Sequence, residues 1–212
     1  MIVIRAILGI MKRGLLALVA ILLSTVIIPS VFATPYGLGT YGSCTYNQTC
    51  TITMSTSSPV SLNTSPTASG VYTIDNDQVT VTTNSTDGYI LSLESDLGYP
   101  FGGSLIAPGW LTVPGVAGTP ASPQTLSNNT WGFRVDDLGS FGSGPTSNIQ
   151  NQSSSSLTFA SVSLNGSPET IKTNITGSPS GEITNVWYGI KTTSSQQAGN
   201  YSATVVYTAI MQ

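Results

Sequence analysis

The side chains able to do chemistry are few, and their types exclude more than they permit. Histidine is absent, so neither a Ser-His nor a Cys-His nucleophile can be assembled. A zinc site on Cys44 and Cys50 would lack its remaining ligands. Nine carboxylates remain. Asp136 and Asp137 are adjacent, which on a strand sends them to opposite faces, where they cannot act as a facing acid–base pair. They read as a strand end turning into Gly139-Ser140-Phe141-Gly142. Asp75 and Asp77, in what reads as a turn, could gather a calcium ion with Asp87 of the turn Thr86-Asp87-Gly88. Turn chemistry alone explains the same residues. A buried strand lysine can cross-link to an asparagine beside a carboxylate in some bacterial surface proteins. Here only Lys172 and Lys191 lie in strand-like text, and snorkelling is the simpler role for both. The chemistry therefore predicts a non-enzymatic chain, with no catalytic residue and no cofactor.

Binding chemistry is better represented. Residues 98–124, GYPFGGSLIAPGWLTVPGVAGTPASPQ, form the longest stretch without strand spacing and the richest in Pro and Gly. Loops of that length are often functional. Tyr99, Phe101 and Trp110 sit on it, and exposed aromatics on such a loop suit contact with a sugar or a protein. The competing expectation is that Trp110 and Leu111 only cap an open end of the core. Cys44 and Cys50, in CTYNQTC, are the only cysteines; in an exported chain they read as a disulfide closing a small loop. It would rigidify a Tyr/Gly-rich leader that has no core of its own.

The elements that must position these residues are strands. At 199–211, GNYSATVVYTAIM, Tyr201, Ala203, Val205, Tyr207, Ala209 and Met211 alternate with polar Ser202, Thr204 and Thr208, the period of a half-buried strand. Residues 183–192 read as a second strand, and the loop 194–199 between them predicts a hairpin. Further strands are expected at 51–54, 60–63, 71–74, 78–83, 89–94, 130–135, 157–162 and 170–175, with Asp75-Asn76-Asp77 and Thr86-Asp87-Gly88 as turns around QVTVTT. No stretch after Ala33 has useful helical periodicity. About ten strands at this spacing predict an all-β fold, an antiparallel β-sandwich of the Greek-key or Ig-like kind.

Residues 1–33 read as targeting: Lys12-Arg13, then an unbroken apolar run from Leu15 to Ile28, then Val31-Phe32-Ala33 as a signal-peptidase site before Thr34. Two alternatives stand beside cleavage at Ala33. One is an uncleaved membrane anchor, and the other is pilin-like cleavage after Gly14, although Val19 occupies the position where pilins usually carry Glu. The expected layout is a signal peptide at 1–33, a leader at 34–57 holding the disulfide loop, and a β-sandwich at 58–212. Beyond residue 33 only Arg134, Lys172 and Lys191 oppose the nine carboxylates, a net charge of −6. Nucleic-acid binding lacks the clustered cations it needs. Membrane contact is expected only through the N-terminal segment, if that is uncleaved. Eight Asn-x-Ser/Thr sequons, at Asn47, Asn63, Asn84, Asn128, Asn151, Asn165, Asn174 and Asn200, are open to glycosylation in a host that performs it.

Three stretches carry a resemblance: TWGFRVD at 130–136, VWYGIKTT at 186–193 and AGNYSATVVYTA at 198–209. With them the chain resembles secreted bacterial surface proteins that have a WxL-like C-terminal β-sandwich. YGLGTYGSCTYNQTC and DQVTVTTNSTDGYIL extend the likeness over most of the chain after residue 33. The resemblance implies an extracytoplasmic protein displayed at the cell wall, where Trp-x-Leu motifs are associated with peptidoglycan. The terminal motif position here reads Tyr207-Thr208-Ala209, and Trp131 is followed by Gly132-Phe133, so neither is Trp-x-Leu as written. Trp131, Phe133, Trp187 and Tyr207 are thus expected either in the core or at a wall-binding surface. The functional expectation is a secreted, cell-wall-associated or adhesive module. Its partner would be a cell-wall glycan or another surface protein. A self-associating subunit of a pilus or surface layer is the alternative.

Overall fold

The computed structural model describes Thr40–Tyr41, Cys44–Thr45 and residues 49–57, 59–177 and 179–212. The segment read as a signal peptide lies outside these residues. Among the described residues fourteen strands run in chain order. The first seven are β1 (Thr40–Tyr41), β2 (Cys44–Thr45), β3 (Ile52–Thr56), β4 (Val71–Thr83), β5 (Tyr89–Ser95), β6 (Leu105–Ala107) and β7 (Leu111–Val113). The remainder are β8 (Gln124–Thr125), β9 (Thr130–Val135), β10 (Ile149–Gln152), β11 (Thr158–Phe159), β12 (Glu169–Asn174), β13 (Glu182–Thr192) and β14 (Val205–Met211). Among the described residues there is no helix, and every ladder between strands is antiparallel.

Two sheets organise the chain. The larger has the order β10-β4-β13-β9, with β3 also pairing β4; the smaller is β12-β5-β14. β4 and β13 form the spine, paired without interruption from Val71↔Thr192 to Val81↔Glu182. Their alternation explains the core. Val79 and Val81 of β4, Val186, Tyr188 and Ile190 of β13, and Trp131, Phe133 and Val135 of β9 share one face. They pack with Tyr89, Leu91 and Leu93 of β5 and Ile171 of β12 in a single buried cluster. At about 25 cal/mol per Å² of apolar surface removed from water, this cluster is the main stabilising term.

The opposite face of the larger sheet is buried too. Tyr72, Ile74 and Trp187 pack there with Val116, Leu126 and Phe159. The register sets Gly132 of β9 directly opposite Gly189 of β13. Those two missing side chains leave a notch for the Phe159 ring: a Cβ on Gly189 would lie 2.5 Å from its Cε1. Phe133 and Ala160 exchange both backbone hydrogen bonds (2.9 and 2.8 Å), which pins the segment carrying Phe159 to β9.

Four expectations are corrected. Asp75-Asn76-Asp77 is not a turn but the middle of β4, because β13 offers partners to all these residues. The aspartate side chains are satisfied locally: buried Asp77 accepts from the N–H (3.0 Å) and hydroxyl (2.9 Å) of Ser57, and Asp75 accepts from Asn76 N (2.8 Å) and from Asn148. The three aspartates do not converge; among the described residues no cluster of three potential metal-ligating side chains exists. Residues 60–63 form no strand, although Val60 and Leu62 still pack on the core. Finally, β13 and β14 are not a hairpin. β13 is flanked by β4 and β9 and has no free edge, so β14 pairs with β5 in the other sheet. The two meet across the core instead, where the Tyr188 and Tyr207 hydroxyls are 2.7 Å apart. Ile52–Thr56, within the stretch read as leader, is a strand of the larger sheet with a full ladder to β4. The Cys44–Cys50 disulfide joins the β1–β2 hairpin to its start.

Burial raises the pKa of Tyr188 and, with the adjacent Tyr188 hydroxyl as a second cause, of Tyr207; burial followed by the hydrogen bond to Glu182 raises that of Tyr89. The unfolded chain releases these protons near pH 10, whereas the fold retains them. Stability from this source is therefore complete below about pH 10 and falls as pH rises beyond it. In an alkaline titration followed by phenolate absorbance and circular dichroism, three of the nine tyrosines should ionise only together with unfolding. Ionisation of all nine with the β-sheet signal intact would contradict the burial argument.

Candidate functional site

The loop after β5 is built around close approaches. Phe101 N and Gly102 N both donate to Gly98 O (3.1 and 2.8 Å), and Ser104 N donates to Phe101 O (3.0 Å). Gly102 has no room for a Cβ, which would lie 2.3 Å from Leu97 O and 2.4 Å from Leu164. From below, the buried indole of Trp131 donates to Gly103 O at 2.8 Å. The core thereby fixes the height and angle of this loop.

β6 and β7 follow as a hairpin, paired Leu105↔Val113 to Ala107↔Leu111. Leu105, Ala107 and Val113 point inward and hold it to the core. Its tip is Pro108-Gly109-Trp110. Pro followed by a glycine at φ 82° is the combination a type II turn calls for. Trp110 comes next at φ 64°, a left-handed conformation that an aromatic L-residue rarely adopts and that costs on the order of 1–2 kcal/mol. That conformation carries the indole out to 71% exposure. The ring stacks on Phe101, with centroids 5.0 Å apart and planes 22° from parallel. Tyr99, 90% exposed, stands two residues before Phe101.

Beside this aromatic shelf lies an open groove of about 610 Å³, floored by Ala107, Pro108 and Ala203 and bordered by Asp96, Ser202 and Thr204. Residues 202–204 reach it because Ile106 and Ser202 exchange backbone hydrogen bonds (2.8 and 2.9 Å). Nothing in the sequence around Trp110 pointed to them, since they lie about ninety residues further along the chain. The groove thus joins one aromatic residue, Trp110, with a short apolar floor, two hydroxyl residues and one carboxylate residue.

The other sequence-predicted residues are not at this site. Trp131, Phe133 and Trp187 are buried; Trp131 stacks on Tyr188 at 6.2 Å, and Tyr207 is half-buried. Asp136 and Asp137 border a second hollow of about 400 Å³ with Lys172 and Asn185. Its lysine pairs with Glu182 (3.1 Å), which also accepts from Tyr89 (2.9 Å) and Asn174 (2.7 Å). Burial pulls the Glu182 pKa up, but the bonds from Asn174, Lys172 and Tyr89 outweigh it and hold the group below its ordinary value. Lys191 lies 5.0 Å over the Tyr72 ring.

The residue that sequence reasoning passed over is Arg134. It is 1% exposed and donates to the carbonyls of Phe141 (2.7 Å), Ser143 (3.0 Å), Gly142 (3.3 Å) and Thr158 (3.4 Å). An arginine in a strand flanked by aromatics was the available signal. No family model matches the chain, nor does any curated protein or solved structure.

Proposed function

We propose that this chain is a non-enzymatic, exported surface protein whose β-sandwich presents an aromatic shelf to a neutral glycan of the cell wall. The observation that carries the reading is the exposed Phe101–Trp110 stack beside a hydroxyl-bordered groove, held in a conformation unfavourable for tryptophan. An exposed ring so placed makes no large contribution to the core, and backbone strain concentrates where function requires it. Sugar rings offer C–H groups of positive partial charge to the negative face of an indole, while their hydroxyls seek acceptors and donors such as Asp96, Ser202 and Thr204. Surrounding text rich in Ser and Thr and poor in charge suits an uncharged ligand. Two facing sheets with one shared core support the sandwich, and Lys12-Arg13 with the apolar run to Ile28 supports export.

The test uses protein recovered after export, whose N-terminal sequencing should begin at Thr34, in binding assays on peptidoglycan sacculi and neutral wall polysaccharide. Trp110→Ala should weaken binding at least tenfold, the usual loss for a tryptophan at the centre of an interface. Trp110→Gly should weaken binding to the same extent while leaving the unfolding midpoint unchanged or raised, because glycine relieves the left-handed strain. Wild-type-like binding by both variants would overturn the assignment of the site. Absence of binding to every wall glycan would overturn the assignment of the ligand.

A further inference from the structure

We propose that β14 is a self-pairing edge, through which two copies of this chain join their smaller sheets about a twofold axis at Thr208. β14 is the outer strand of the β12-β5-β14 sheet. At its two ends Asp96 N donates to Thr204 O and Gln212 N donates to Gly88 O, both at 3.2 Å. These bonds set the parity of the ladder. Residues 206, 208 and 210 turn their backbone groups to β5, and Val205, Tyr207, Ala209 and Met211 turn theirs to the outside. Among the described residues no backbone hydrogen bond reaches that outer side, although β3 comes within 8 Å of β14.

Natural sheets blunt such edges with charges, bulges or covering segments. The other outer strands here do so. β12 carries Glu169 and Lys172 and a register shift between Thr170 and Lys172. β10 is irregular between Ile149 and Gln152, with Asn151 at φ 50°. β9 is covered by Ala160, and by Gly115, which bridges Trp131. β3 has five residues and ends where Ser57 binds Asp77. β14 has seven residues in unbroken register, with no charge, proline or bulge.

Its sequence is also self-complementary. With the axis at Thr208, an antiparallel second copy sets Val206 opposite Ile210, Tyr207 opposite Ala209, and Val205 opposite Met211. On the solvent side, Ile210 is 59% and Val206 36% exposed. Each would cover the other's counterpart, and Thr208 would face its own mate. No like charges meet across the axis, although the chain beyond residue 33 carries a net charge of −6. The twofold operation closes on itself, so it yields a dimer and no filament.

The protein recovered from expression of the whole chain should sediment as a dimer. Thr208→Lys sets two cations face to face and should return it to a monomer with an unchanged circular dichroism spectrum. Thr173→Lys, on the outer face of β12, should remain dimeric. Thr208 would sit in a non-hydrogen-bonded pair, where Cα atoms approach to about 4.5 Å, so Thr208→Cys should give a disulfide-linked dimer on mild oxidation. A wild type that stays monomeric at every concentration would overturn the proposal. So would a dimer that survives Thr208→Lys, a Thr208→Cys variant that does not cross-link, or open-ended polymers, each of which requires a different contact.

Discussion

Arg134→Ala should destabilise the protein by roughly 3–5 kcal/mol, much of the total stability a domain of this size possesses. The guanidinium reaches three consecutive carbonyls, Phe141, Gly142 and Ser143, and a fourth at Thr158. It therefore ties the turn after β9 and the start of β11 to the larger sheet, and it lies 5.7 Å from the Phe141 ring. Truncation leaves those carbonyls without their shared donor, and the buried one, Phe141 O, loses its hydrogen bond without full solvation in return. Burial lowers the arginine's pKa and Asp136 partly opposes that, but arginine remains charged throughout the range in which proteins fold. Arg134→Lys should recover only a fraction of the loss, because one ammonium cannot serve carbonyls that diverge as these do. Arg134→Met should fall between them, filling volume without donating. Urea denaturation of the three variants orders them. A midpoint for Arg134→Ala within the error of wild type would show that the turn is held by other contacts.

The strands legible in the sequence are those whose neighbours are apolar on the same face. In β13, Val186, Tyr188 and Ile190 alternate with Trp187 and Gly189, and in β9 Trp131, Phe133 and Val135 alternate with Gly132 and Arg134; both strands sit where the spacing places them. β4 defeats the same reasoning. Its centre is Asp-Asn-Asp, turn text by residue type, yet an eleven-residue ladder to β13 overrides local preference there. The supposed β13–β14 hairpin fails for a related reason. Proximity in sequence favours pairing, but it cannot show that both edges of β13 are already taken by β4 and β9. The shelf divides in the same way. Tyr99, Phe101 and Trp110 are recognisable as aromatics on a Pro/Gly-rich loop. Asp96 borders the loop in sequence, but Ser202 and Thr204 become part of that site only through the Ile106–Ser202 bridge, a long-range contact with no signature in composition or period. Arg134 is hidden likewise, because its partners are backbone carbonyls, which every residue carries.

Adding one methyl at each of the paired glycines should have different consequences, although the two residues face one another across the same ladder. A Cβ on Gly189 meets the tip of a side chain: Phe159 Cε1 at 2.5 Å and Cζ at 2.6 Å. A Cβ on Gly132 meets backbone, Ala160 O at 2.5 Å, with Val116 Cγ1 at 2.9 Å. Side chains can turn aside, but Ala160 cannot move without releasing both hydrogen bonds to Phe133. Gly189→Ala should therefore cost about 2 kcal/mol and Gly132→Ala about 3 kcal/mol or more, the upper part of the range for overpacking. Phe159→Leu shortens the ring that fills the notch. Combined with Gly189→Ala it should give a double variant more stable than the sum of the two single losses predicts, with a coupling of about 1 kcal/mol. With Gly132→Ala the same substitution should add its own loss and relieve nothing. Chemical denaturation of the five variants completes both cycles. Equal coupling in the two would mean that the sheet and the segment over it yield together, and that Phe159 does not rest on Gly189 in the way the register places it.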